Sequence, residues 1–112
     1  MTRTEIATML TSAGYSIAYQ AFPIGQAPTT TPFMIYFYDG SDDFMAENTN
    51  YVNIANLVVE LYTSGAREFA SEAAVEAILK ANHLTYSKTE EYIDDIAMYR
   101  ITYEMEVIIN NG

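Results

Sequence analysis

The run "YRITYEMEVII", residues 99–109, constrains this chain more than any other stretch. Tyr99, Ile101, Tyr103, Met105, Val107 and Ile109 alternate with Arg100, Thr102, Glu104 and Glu106. Side chains of a strand point to opposite faces at every step, so this is a strand with one buried and one solvated face. A one-residue slip would bury two carboxylates, so the register is firmly set. A half-buried strand needs neighbours in a sheet and a layer that covers its apolar face.

Two segments supply that layer. In residues 2–13, Thr2 and Glu5 have the spacing of a capping box. Ile6, Met9, Leu10 and Ala13 fall on one helical face, and Gly14 is placed to stop the helix. Residues 66–83, "AREFASEAAVEAILKANH", consist mostly of good helix formers. Val75, Ile78 and Leu79 form the apolar stripe. Glu72, Glu76 and Lys80 are expected on the solvated side, with Glu76 and Lys80 as an i,i+4 pair.

The other strands are read from shorter signals. Tyr15, Ile17 and Tyr19 alternate over a short strand. The following segment "PIGQAPTTTP" holds Pro23, Pro28 and Pro32 and is an extended loop. "FMIYFY", 33–38, is a continuous apolar run and is expected to be buried on both faces. "NYVNIANLVVELYTS" is its hairpin partner, and "LTYSKTEEYI" pairs with the terminal strand across Asp94-Asp95. The order is helix, short strand, hairpin, helix, hairpin. With 112 residues and no linker or repeat, this gives a single domain, 1–112. The fold class is α+β: a small antiparallel sheet of four to five strands with two helices on one face.

Between the first hairpin's strands lies "YDGSDDFMAENTNY". Its acidic residues around a glycine invite comparison with a calcium loop. However, such a loop alternates its ligands and places the glycine sixth. Here Gly40 comes too early and Phe44-Met45 fall where ligands belong. A hairpin tip explains the same residues without a metal. Residues 40–50 are expected to be exposed and mobile, and to order against a neighbouring subunit. Phe44 and Met45, flanked by Asp42, Asp43 and Glu47, are the candidate interaction residues.

Catalytic chemistry is sparse. There is no Cys, hence no disulfide, thiolate metal site or Cys nucleophile. His83 is the sole histidine and follows a helix C-terminus, where partial positive charge is favourable. Glu104 and Glu106 sit on the exposed face of an amphipathic strand. "GAREFA" is a weak candidate for holding an anion at a helix start. No catalytic residue, cofactor or metal is expected, and the chain is not read as an enzyme. Asp and Glu number 15 against 5 Lys and Arg, a net charge of −10. That opposes binding to nucleic-acid backbones and anionic membranes. No apolar run suffices for a membrane span and no signal peptide is read at the N-terminus, which points to an intracellular origin. The 10 tyrosines suit half-buried sheet faces and subunit interfaces.

Three segments, "YDGSDDF", "NLVVELYTSGAREFASEAAVEAILK" and "LTYSKTEEYIDDIAMYRITYEMEVII", resemble small proteins of siphoviruses and prophages. In those a "VELYT" strand precedes a Glu-rich helix, then "YxKTExYI" and "YRxxYExEV". The resemblance, over roughly residues 30–110, is to tail terminator (tail-completion, head–tail joining) proteins. It implies a homo-oligomeric ring, a hexamer, at the head-proximal end of the tail tube. The implied partners are the tail-tube protein and the head-closure or connector protein, with DNA passing through the channel unbound. The implied location is the virion, after synthesis in the host bacterial cytoplasm. Two other classes stay open: another head–tail component, such as a head-closure or tail-tube protein, and a non-viral acidic module that inhibits a basic nuclease site. Self-association, and a gene lying between connector and tail-tube genes, discriminate the tail component from the inhibitor.

Overall fold

A computed structural model of the chain describes residues 1–28, 30–41, 44–45 and 51–110. Its centre is a pair of long strands. Strand β5 (Ile54–Ser64) and strand β7 (Met98–Ile108) pair antiparallel along their whole length, from Ile54 opposite Ile108 to Ser64 opposite Met98. The expected alternation holds. Ile101, Tyr103, Met105, Val107 and Ile109 are buried, while Glu104, Glu106 and Ile108 are exposed. In the register, Ala55, Leu57, Val59 and Leu61 oppose Val107, Met105, Tyr103 and Ile101, so eight buried side chains share one face.

Helix α1 (Arg3–Thr11) and helix α2 (Phe69–Ala81) cover that face. Ile6, Met9 and Leu10 from α1 and Val75 and Leu79 from α2 join Met34 and the sheet residues in one core cluster. The capping box forms at α1: the Thr2 hydroxyl accepts from the Glu5 amide at 3.1 Å, and the Glu5 carboxylate accepts from the Thr2 amide at 2.8 Å. At the end of α2 the Leu84 amide donates to the Leu79 carbonyl and the His83 amide to the Lys80 carbonyl, both at 3.0 Å. This is a Schellman closure, and its left-handed position, φ 60°, is held by His83 rather than by glycine.

The remaining strands flank the central pair in the order β1-β2-β5-β7-β6. Strand β6 (Tyr86–Ile93) joins β7 through a 3-10 turn at Asp94–Ile96. Strand β2 (Phe33–Ser41) pairs antiparallel with β5, with a bulge between Tyr38 and Ser41 where Gly40 takes a positive φ of 74°. Beyond it, strand β3 (Phe44–Met45) pairs antiparallel with strand β4 (Tyr51–Val52) and prolongs the hairpin. The hairpin reading of the acidic stretch holds in these backbones.

Two expectations are corrected. The sheet is mixed rather than antiparallel, because β1 (Ser16–Tyr19) runs parallel to β2, with Ser16 opposite Phe33 and Tyr19 opposite Tyr36. Parallel neighbours need a crossover of about a dozen residues or more, which the proline-bearing loop 20–32 provides. The run 33–38 is not buried on both faces. Phe33 and Met34 are buried, but Ile35, Tyr36, Phe37 and Tyr38 are only partly so. Both helices cover the same side of the sheet, and neither reaches the other side of β2.

Candidate functional site

Among the described residues, the densest polar constellation lies between α2 and the β6–β7 hairpin. Gly65, at φ 81°, turns the chain out of β5. Arg67 follows, and its guanidinium grips Glu72 with two bonds, Nε to Oε2 at 3.1 Å and Nη2 to Oε1 at 2.7 Å. Its third nitrogen reaches Glu90 on β6 at 2.8 Å. Lys88, also on β6, bridges Glu72 at 2.8 Å and Glu76 at 2.7 Å. The second carboxylate, Glu76, accepts from the Tyr103 hydroxyl at 2.9 Å and the Tyr86 hydroxyl at 3.2 Å.

This overturns the expected solvated placing of Glu72 and Glu76 on α2, while Lys80 is exposed as expected. Glu72 is 1% exposed and Glu76 is half-buried. Glu76 pairs with Lys88, not with Lys80. The physical reason is the register of β6 on β7, which sets Lys88 opposite Tyr103 and Glu90 opposite Ile101, on the helix-facing side. The sheet thus offers a cation and a hydroxyl where α2 needs partners. The spacing Glu72, Glu76 reveals a shared face, but only the tertiary pairing shows that the face points inward.

The electrostatics follow from this geometry. Burial pushes the Glu72 carboxyl up, but hydrogen bonds and charge from Arg67 and Lys88 outweigh it and hold it below the usual carboxylate range. Glu76 behaves likewise, with burial opposed by bonds from Lys88 and Tyr103. The bonds to Glu72 and Glu76 raise Lys88. Burial, then Glu76, raises the Tyr103 hydroxyl far above its ordinary value. All four shifts run away from neutrality, the wrong direction for a general acid or base. The cluster fastens the helix to the sheet.

Among the described residues no helix covers the opposite face of the sheet. Phe33 and Tyr62 stack there at 5.0 Å with Phe22 edge-on to Phe33, beside Arg100, which pairs with Glu91 at 2.7 Å. At one end of this face an open groove of about 710 Å³ is lined by residues that include Asp39, Asn56, His83, Glu104 and Glu106. The sequence candidates His83, Glu104 and Glu106 therefore come together, on exposed surface. The helix start after Gly65 is a poor anion site, since two carboxylates sit there: Glu68 at the N-cap position, without a side-chain cap bond, and Glu72 in the first turn.

Of the candidate interaction residues, Phe44 and Met45 form β3. Asp42, Asp43 and Glu47 lie outside the described residues, as does most of the 40–50 tip. Among the described residues no cluster of His, Asp or Glu is arranged to hold a metal ion, and no helix is long and apolar enough to cross a membrane.

No protein-family model and no curated protein matches the chain. Among solved structures, the chain is similar to a chain of the virion of the native gene transfer agent particle, with a TM-score of 0.60 and 15% identity. The match covers 91% of this chain and 84% of that one. At that identity the likeness is one of fold.

Proposed function

We propose that this chain is a structural protein of a phage-like virion, a tail terminator that forms a ring at the head-proximal end of the tail tube and joins it to the head connector. The observation that carries this reading is the fold likeness to a chain of a virion, spanning 91% of the sequence. The "VELYT", "YxKTExYI" and "YRxxYExEV" segments supply the finer assignment, and with it a hexameric ring, tail-tube and head-closure partners and a place at the head–tail junction. The chain works by assembly and carries out no catalysis, in keeping with a polar cluster whose charges are mutually compensated. The acidic excess suits a ring through which DNA slides, since like charge keeps the duplex from adhering.

Imaging of particles that carry a gold-labelled copy of the chain tests this. Label confined to the head–tail junction is expected. Label along the whole tube would assign the chain to the tube instead, and particles without label would overturn the reading.

A further inference from the structure

Charge is unevenly distributed along this chain. Residues 6–38 contain no charged side chain, although the protein as a whole carries −10. That stretch builds most of α1, all of β1, the loop 20–32 and most of β2. The loop ends in an apolar point: Ile24, between Pro23 and Gly25, is fully exposed. Phe22 packs edge-on against Phe33 and seats the loop on the β1–β2 side of the sheet.

A second surface carries few carboxylates, for a different reason; Glu68 is exposed at its start and Glu90 reaches Arg67 beside Phe69, each next to a cation or at the rim. Helix α2 turns Glu72 and Glu76 toward the sheet, the reverse of the usual polarity of a surface helix. Its outward positions between Glu68 and Lys80 are Phe69, Ala70, Ala73 and Ala77. Phe69 is 65% exposed, and the Arg67 guanidinium lies over its ring at 4.7 Å. Ile24 and Phe69 are the two most exposed large apolar side chains among the residues whose burial is described. They lie on opposite sides of the sheet, because α2 is tied to β6 and β7 while the loop sits beside β1 and β2.

We propose that the 20–32 loop of one copy, Ile24 foremost, packs on the outer face of α2 of the next copy, around Phe69. Two copies each at −10 repel, so they meet at least cost where carboxylates are fewest. The loop has no charged side chain, and the outward face of α2 between Phe69 and Lys80 has no carboxylate beyond Glu68 at its start, so each surface brings an exposed apolar anchor to a contact that excludes water. The surfaces are unlike and lie on opposite sides of the molecule, so the contact is head-to-tail, the kind that closes rings. This inference rests on the ring reading above and names the surfaces through which the ring forms.

The chain has no cysteine, so single cysteines can be placed at will. Ile24→Cys and Ala73→Cys variants, both at exposed positions, are treated with a short bis-maleimide under conditions where the unmodified protein self-associates. Covalent dimer is expected about tenfold more in the mixture than in either variant alone, as a head-to-tail contact requires. In sedimentation, Ile24→Asp and Phe69→Asp should each weaken self-association by about tenfold or more, with unchanged circular dichroism. Equal cross-linking of either variant with itself would show a two-fold contact and overturn the proposal. So would self-association of the unmodified protein without preferential cross-linking in the mixture, which leaves the ring reading standing and frees these surfaces for a different partner. A protein monomeric at every concentration and salt would overturn both.

Discussion

The Tyr103 hydroxyl donates to the Glu76 carboxylate over 2.9 Å, joining the middle of β7 to the middle of α2 through the core's edge. Tyr103 is fully buried, so the hydroxyl has no water to turn to. The helix is held by this bond and by Lys88 and Arg67, as well as by the apolar contacts of Val75 and Leu79.

Tyr103→Phe keeps the ring and removes the donor. A hydrogen bond to a charged acceptor contributes about 1.5–3 kcal/mol, and a loss in the lower half of that range is expected in urea unfolding. Glu72→Gln removes the carboxylate that Arg67 and Lys88 share. Breaking a buried pair costs about 3–5 kcal/mol, but Arg67 retains Glu90 and Lys88 retains Glu76, so about 2–3 kcal/mol is expected. A Glu72→Gln protein as stable as the parent would show that the cluster contributes nothing net.

The same cluster sets an acid limit. Folding lowers the Glu72 and Glu76 carboxyls below their ordinary range, so the unfolded chain binds protons first as pH falls. Their contribution is complete above the unfolded carboxylate range and is lost as pH drops through the depressed folded values. Lys88 acts in the opposite sense: raised by folding, it contributes below the ordinary lysine range and loses that contribution as pH climbs through its folded value. Chemical unfolding from neutral to acid pH should show stability declining from the carboxylate range downward. The decline should be shallower in Glu72→Gln, and an identical slope in the two proteins would remove this cluster from the account.

Much of the fold is legible in the sequence, because local rules and tertiary structure agree there. The alternation of 99–109, the Thr2–Glu5 capping box and the Asp94-Asp95 turn each depend on neighbours within a few residues. What escapes depends on partners far apart in sequence. The parallel pairing of β1 with β2 is decided by the path of the 20–32 crossover, which periodicity does not encode. The inward turn of Glu72 requires Lys88 and Tyr103 to arrive from another hairpin. A carboxylate in a helical pattern reads as solvated until its cation is placed, so the cluster had no signal of its own beyond the i,i+4 spacing.

His83 marks a strained position. It occupies the left-handed site of the Schellman closure after α2, at φ 60°, where a side chain is disfavoured and glycine is not. His83→Gly should relieve that strain and outweigh the added freedom of the unfolded chain, raising stability by about 0.5–1 kcal/mol. Since the side chain is exposed, little packing is lost. A thermal shift upward by a few degrees is the expected reading. Destabilisation on this substitution would mean that the imidazole makes a contact worth more than the strain.

Self-association should rise with salt. At a net charge of −10 two copies repel over roughly a Debye length, which is about 10 Å in 0.1 M salt and about 3 Å in 1 M. The attraction expected between copies is apolar, carried by side chains such as Ile24 and Phe69, and screening leaves it intact. Added salt therefore removes the opposing term and not the favourable one. Sedimentation equilibrium from about 0.05 to 1 M sodium chloride should show the mean mass climbing at fixed protein concentration, and more steeply at higher concentration. A mass that falls with salt would mean that the copies meet through ion pairs, and would contradict a contact built on apolar anchors.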